Sequence, residues 1–314
     1  MEPAALAGWT PVALSLAGGE LAIDWGDLRG VRFAEPFLHQ TVERWAAQNP
    51  APLVRGGRDL LEALDDAPSL DPDLIIFHVS RCGSTLLSRL LGALPGMLVV
   101  SEPAPVNSLL LSGPAATPSA LRLLVRALGR KRFGDERHYV LKLSSWNVRR
   151  CALFRSAFPA ARFLWLHRAP EAVVASMLAD PPGWFQLRRD PAAARALLGV
   201  EAVADDTAFC LGSLAALFQS ARTLVPDLVL DYADLPAAAW TAAAPLIGLA
   251  PGPDEIAAME RDARFDAKES APRLHAPAAR RLPPAVRQKV AETLAPLYAA
   301  IGQGFGPKGP PITG

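Results

Sequence analysis

The stretch FHVSRCGSTLLSRLL, residues 77–91, decides how the chain is read. LIIFHV (residues 74–79) is a largely apolar strand that runs into a short polar turn. From about Gly83 onward, Leu86, Leu87, Leu90, Leu91 and Leu94 recur on one helical face. Where a strand turns into a helix, the free N–H groups of the first helical turn point at one spot, and the helix adds about half a positive charge there. Gly83 lets the backbone come close to an anion. Ser84 and Thr85 supply hydroxyl donors, and Arg81 supplies a fixed cation with a fork of donors. The bland reading of the same residues is an ordinary strand, turn and helix that holds a glycine.

Working outward, strand and helix alternate. MLVV (residues 97–100), HYVLKL (138–143), RFLWL (162–166) and DLVLDY (227–232) read as further strands. Thr117-Pro118 and Pro170 start helices, Ser145 is a candidate cap, and a long helix is expected over roughly residues 202–223. Apolar strands interleaved with helices predict an α/β fold of the P-loop type, with a parallel sheet flanked by helices and ligands at the carboxyl ends of the strands. Ahead of it, PVALSLA-GG-ELAIDW reads as a β-hairpin and residues 35–48 as a helix. The expected organisation is an N-terminal appendage over residues 1–70, a P-loop domain over 71–303 and a loose tail over 304–314.

Composition narrows the classes. The 314 residues carry 32 Lys plus Arg against 31 Asp plus Glu, a net charge of +1, so no global field draws nucleic acid. Half of the residues are hydrophobic, which permits a sizeable core. The three cysteines, Cys82, Cys151 and Cys210, are far apart, and neither a disulfide framework nor a metal site is expected. No apolar run has the length of a membrane span and the first ten residues lack a secretory pattern, so cytoplasm is the default expectation.

The turn departs from the Walker pattern G-x-x-x-x-G-K-[ST]. Gly83 and Thr85 fit, but His78 stands for the first glycine and Ser84 for the lysine. The cation has moved ahead of the glycine, onto Arg81. A second strand end supports an anion site: in FLWLHRAPEAVVASML (residues 163–178), Arg168 follows the strand, Pro170 opens a helix and Ser176 lies about two turns on. Alone, Arg168 reads as a surface charge and Ser176 as filler on a helix.

Together these motifs resemble the sulfotransferases that use 3′-phosphoadenosine 5′-phosphosulfate (PAPS). Residues Arg81, Cys82, Gly83, Ser84 and Thr85 match that family's 5′-phosphosulfate loop, and Arg168 with Ser176 its 3′-phosphate motif. Tyr232, Asp234 and Leu235 match a weaker Tyr-x-Asp-Leu pattern, although Asp234 also reads as a helix N-cap. The resemblance covers residues 74–235, less firmly to 302, and leaves 1–70 out. It implies PAPS as co-substrate, adenosine 3′,5′-bisphosphate as product and no metal, with a sugar, phenol, lipid or peptide acceptor carrying a hydroxyl or amine. It implies Glu102 as the base, as in the tyrosylprotein type, and Lys142 and Arg81 as cations on the transferring group. Bland readings stand beside these: Glu102 as a carboxylate at a helix start, Lys142 as a snorkelling strand-end charge. Cys82 is expected to offer its backbone N–H, with a thiol whose pKa the helix terminus could lower. His78 reads as a core residue and His167 as a strand-end histidine held by backbone. Lys268 or Arg273 could serve a C-terminal loop over the nucleotide. The alternatives are a P-loop kinase or hydrolase and a non-catalytic module that binds the bisphosphate. Residues 181–200, with Trp184, Phe185, Arg188 and Arg189, read as an irregular lid near the acceptor mouth.

Overall fold

The computed structural model describes residue 6 and residues 8–49, 53–265 and 281–304. The central element is a five-stranded, all-parallel sheet built from β4 (Leu74–His78), β5 (Met97–Ser101), β6 (His138–Lys142), β7 (Arg162–His167) and β8 (Leu228–Asp231). Its spatial order is β5-β6-β4-β7-β8. Every residue of β4 is buried, which is why this strand reads as an unbroken apolar run and not as an alternation. The fold is thus α/β, with helices α3 (Ser84–Gly92), α4 (Ala104–Leu111), α5 (Pro118–Leu128), α6 (Cys151–Ala157), α7 (Pro170–Ala179) and α9 (Asp206–Ala221) around the sheet.

The order of strands singles out one edge of the sheet. After β4 the chain leaves toward β5, and after β7 it leaves the other way toward β8, yet β4 and β7 are neighbours, with His78 opposite Leu166. Such a reversal opens a crevice at the carboxyl ends of the two strands. The loops that flank it are residues 79–83 and the link from His167 to Pro170.

The N-terminal strands β1 (Thr10–Ala17) and β2 (Glu20–Gly26) form the expected hairpin, and Gly18 and Gly19 both take positive φ in its turn. A short third strand, β3 (Val54–Gly56), pairs with β2, and α1 (Leu38–Gln48) and α2 (Arg58–Ala63) complete the segment. Leu14, Leu21, Ile23 and Trp25 belong to the same hydrophobic cluster as the central sheet. Arg130 stitches the two parts together. It is 1% exposed, its Nη1 donates to the carbonyls of Leu6 and Trp9 (3.1 and 2.7 Å), and its guanidinium lies 5.0 Å from the Trp25 ring.

Some expectations change. The cap after β6 falls on Ser144, whose N–H donates to Asn147 Oδ1 at 2.7 Å, while Ser145 Oγ faces Ser80 Oγ at 2.8 Å. Asp231, not Asp234, caps the turn after β8: its carboxylate accepts from the Ala233 N–H at 2.8 Å, and Asp234 accepts from the Asp231 N–H. The segment 181–200 is more ordered than a lid of irregular chain, with a tight helical turn at Gly183–Arg189 and helix α8 at Pro191–Leu198. The long helix is 206–221. A π-helical stretch (Ala239–Ala243) runs into α10 (Ala244–Leu246), and α11 (Pro253–Asp262), α12 (Pro284–Thr293) and α13 (Ala295–Gly304) follow. Lys268, Arg273 and the tail beyond Gly304 lie outside the described residues.

Candidate functional site

The turn after β4 is held by unusual backbone. Arg81 has φ of 61° and Gly83 of 85°. Glycine tolerates this region, but a non-glycine residue there is strained, and such strain persists where surrounding contacts over-determine it. Gly83 is also the N-cap of α3, and a Cβ on it would stand 2.6 Å from the Tyr232 ring. Ser80, Ser84 and Thr85 are buried in the same turn.

Two cations meet here. Arg168 Nη1 donates to the Arg81 carbonyl at 3.2 Å, and its guanidinium stacks 4.1 Å from the Tyr232 ring centre. Tyr232 therefore touches both strand ends, closing over Gly83 on one side and carrying Arg168 on the other. Arg81 is paired with Asp180, whose carboxylate and main-chain carbonyl both accept from its Nη2. The Arg81 Nε is buried without a partner among the described residues. Ser176 is half-buried in α7, about 9 Å along the helix axis from Pro170. Arg168 turns to Arg81 and Tyr232, toward the Gly83 turn.

At the ends of β5 and β6 sits a second group. Glu102 has φ of 47°, the left-handed region again, and its N–H donates to the Lys142 carbonyl at 2.7 Å. This turn aims its carboxylate back over the sheet edge. Lys142 Nζ donates to Glu102 Oε1, and Ser144 Oγ donates to Glu102 Oε2 at 3.3 Å. Asn107 Nδ2 in turn donates to Ser144 Oγ at 3.0 Å, and Asn147 Nδ2 to Asn107 Oδ1 at 3.1 Å. Lys142 is 1% exposed whereas the Glu102 side chain is 29% exposed, so the acid faces out and the ammonium lies beneath it. The Phe37 ring lies 4.7 Å from the Lys142 nitrogen.

Electrostatics follow from these contacts. Burial pushes the Glu102 carboxyl up, but the Lys142 ammonium and the Ser144 hydroxyl outweigh it and hold it below the usual glutamate range. Burial, with Lys142 nearby, pulls the His78 ring down to about 4, so it is neutral. Its Nε2 and Nδ1 lie 2.7 and 3.0 Å from the Leu143 and Val79 carbonyls, and a neutral ring donates through one nitrogen at a time. Cys82 corrects an expectation: it is fully buried, and burial pushes its thiol up to about 12 despite the helix terminus. It is not a reactive thiolate. Among the described residues no main-chain group holds the His167 ring nitrogen Nδ1. That nitrogen lies 3.4 Å from Asp231 Oδ2, and the ring meets the edge of Tyr298.

Asp180, Asn107 and Phe37 belong to no motif of the sequence, and neither does the double contact of Tyr232. Only Tyr232 carried a signal, through the Tyr-x-Asp-Leu pattern. The other three come from remote parts of the chain. Among the described residues no cluster of three or more His, Cys, Asp or Glu side chains could hold a metal ion, and no helix is long and apolar enough to cross a membrane.

No protein-family model and no curated protein matches the chain. Among solved structures it is similar to a sulfotransferase from Alicyclobacillus acidocaldarius, at 15% identity and a TM-score of 0.42, over 74% of this chain and 95% of that one. A likeness this distant assigns no activity.

Proposed function

We propose that this protein is a sulfotransferase that moves the sulfuryl group of PAPS to a hydroxyl or amine acceptor. The observation that carries the reading is the meeting of Arg168, from the end of β7, with the Arg81–Thr85 turn, from the end of β4, at the reversal of the sheet. One nucleotide phosphorylated at both ends could be gripped by both. The 5′-phosphosulfate would take the α3 N-terminus, the hydroxyls of Ser84 and Thr85 and the buried Arg81 Nε; the 3′-phosphate would take Arg168 and Ser176.

The chemistry then needs a proton acceptor and a cation on the leaving group. Glu102, ionised and facing out, takes the acceptor's proton. The acceptor atom bonds to sulfur, the bond from sulfur to the 5′-phosphate oxygen breaks, and adenosine 3′,5′-bisphosphate leaves with Lys142 and Arg81 near its new charge. Both cations are paired with carboxylates in this structure, Lys142 with Glu102 and Arg81 with Asp180. An arriving anion competes for them, and a Lys142 drawn to the sulfuryl group leaves Glu102 a better base.

A kinase reading lacks the lysine after Gly83, since position 84 is serine. Thermal shift separates the two. We expect adenosine 3′,5′-bisphosphate to raise the melting temperature without magnesium; stabilisation by ATP with magnesium and not by the bisphosphate would overturn the proposal. A non-catalytic module would bind the bisphosphate and transfer nothing from radiolabelled PAPS across an acceptor panel.

A further inference from the structure

A cavity of about 160 Å³ lies between the N-terminal segment and the start of α4. Its apolar wall is Val12 of β1, Leu38 and Val42 of α1, and Ala104 and Pro105 of α4, while His39 and Glu43 stand beside it. Both are exposed, which places the polar groups at the mouth.

The cavity adjoins the Glu102–Lys142 pair from two directions. Ala104 is two residues beyond Glu102, at most about 7 Å along the chain. Phe37, the residue before Leu38, lies against the Lys142 ammonium and stacks on His39 with ring centres 5.6 Å apart. The wall of the cavity and the wall of the reacting pair are thus the same two pieces of chain. Size and lining select what fits. A cavity of about 150 Å³ with apolar walls accepts one benzene ring. Val12, Leu38, Val42, Ala104 and Pro105 offer no side-chain partner to the hydroxyls of a sugar, and the polar groups of the lining, His39 and Glu43, stand at the open mouth.

We propose that this cavity is the acceptor pocket, and that the acceptor is a compact apolar alcohol or phenol with the volume of one six-membered ring. The inference rests on the sulfuryl-transfer reading. The ring lies among Val12, Leu38, Val42 and Pro105, and the hydroxyl points past Phe37 to Glu102. Its oxygen bonds to sulfur, its proton passes to Glu102, the bond to the 5′-phosphate breaks, and a sulfate monoester and adenosine 3′,5′-bisphosphate result. The N-terminal segment, which carries no anion-binding motif, is then the specificity element.

The test uses phenol and cyclohexanol as probes on the full chain with methyl-labelled Val and Leu. Either probe should shift the methyl resonances of Val12, Leu38 and Val42, and PAPS should yield the corresponding sulfate ester. Val42→Trp fills the cavity from α1 and Ala104→Leu narrows it from α4. Each should cut kcat/KM for the probes by about tenfold or more while adenosine 3′,5′-bisphosphate binds as before. If the bisphosphate binds but the methyls do not respond, or the variants turn over the probes normally, the pocket assignment is overturned alone. If the bisphosphate does not bind at all, the transfer reading fails, and the acceptor role with it.

Discussion

In the proposed reaction Arg168 and Glu102 have separable roles. Arg168 is held on the Tyr232 ring and donates to the Arg81 carbonyl, so its guanidinium is already in place before a ligand arrives. Arg168→Ala should weaken adenosine 3′,5′-bisphosphate about tenfold or more, the size of a charge-assisted hydrogen bond, and adenosine 5′-phosphosulfate far less; calorimetric titration of both nucleotides checks this, and equal losses would exclude the role. Glu102→Gln should keep nucleotide affinity and lower turnover by about 10²–10⁴. The same residue gives a pH dependence. Its folded pKa lies below the unfolded value, so its ionised form stabilises the fold above the usual glutamate range, and that contribution is lost as pH falls through the folded value. The difference in melting temperature between wild type and E102Q should therefore be constant near neutrality and change as pH drops below about 4.

At the scale of elements, α7 and the turn that follows it are tied to the turn after β4. Asp180, at the carboxyl end of α7, occupies the fork of Arg81 with a carboxylate that is 64% exposed. Beyond it, Trp184 Nε1 donates to Ser80 Oγ at 3.1 Å, and Phe185 packs edge-on against Phe209 of α9. The segment after α7 is therefore pinned to the turn after β4 at one end and to a core helix at the other. Asp180→Asn removes the competing charge and should tighten adenosine 5′-phosphosulfate by a few-fold, read as a lower Kd with unchanged melting temperature. Weaker or equal binding would show that Asp180 does not compete with the ligand. The alternation of elements was legible because β4, β7 and the leucine face of α3 are strongly patterned. The π-helical stretch at 239–243 and the strand β3 were not, since three to five residues give too little periodicity to register.

For the whole molecule, one hydrophobic cluster runs from Ile23 and Trp25 of the hairpin into the parallel sheet. The hairpin segment and the sheet should consequently unfold in one transition, with calorimetric and far-UV melts coinciding. Arg130 is a buried tether between them. Burial lowers its pKa to about 10, and it satisfies main-chain carbonyls at Leu6, Trp9 and Leu64. Arg130→Met leaves those carbonyls without donors and should cost about 2–4 kcal/mol in urea unfolding; a loss below about 0.5 kcal/mol would remove it as a tether.

The amino-acid order alone set the parallel α/β architecture and the two strand-to-helix turns, because burial on both faces demands continuous apolar strands and the helix starts carry their cations within a few residues of Gly83 and Pro170. It could not supply the partnerships that give the site its character. Glu102 with Lys142, Arg81 with Asp180, Tyr232 over Gly83 and Phe37 beside the ammonium join positions separated by 40 to 149 residues. Such contacts exist only once five strands have been placed in the order β5-β6-β4-β7-β8, since that order decides which strand ends share an edge.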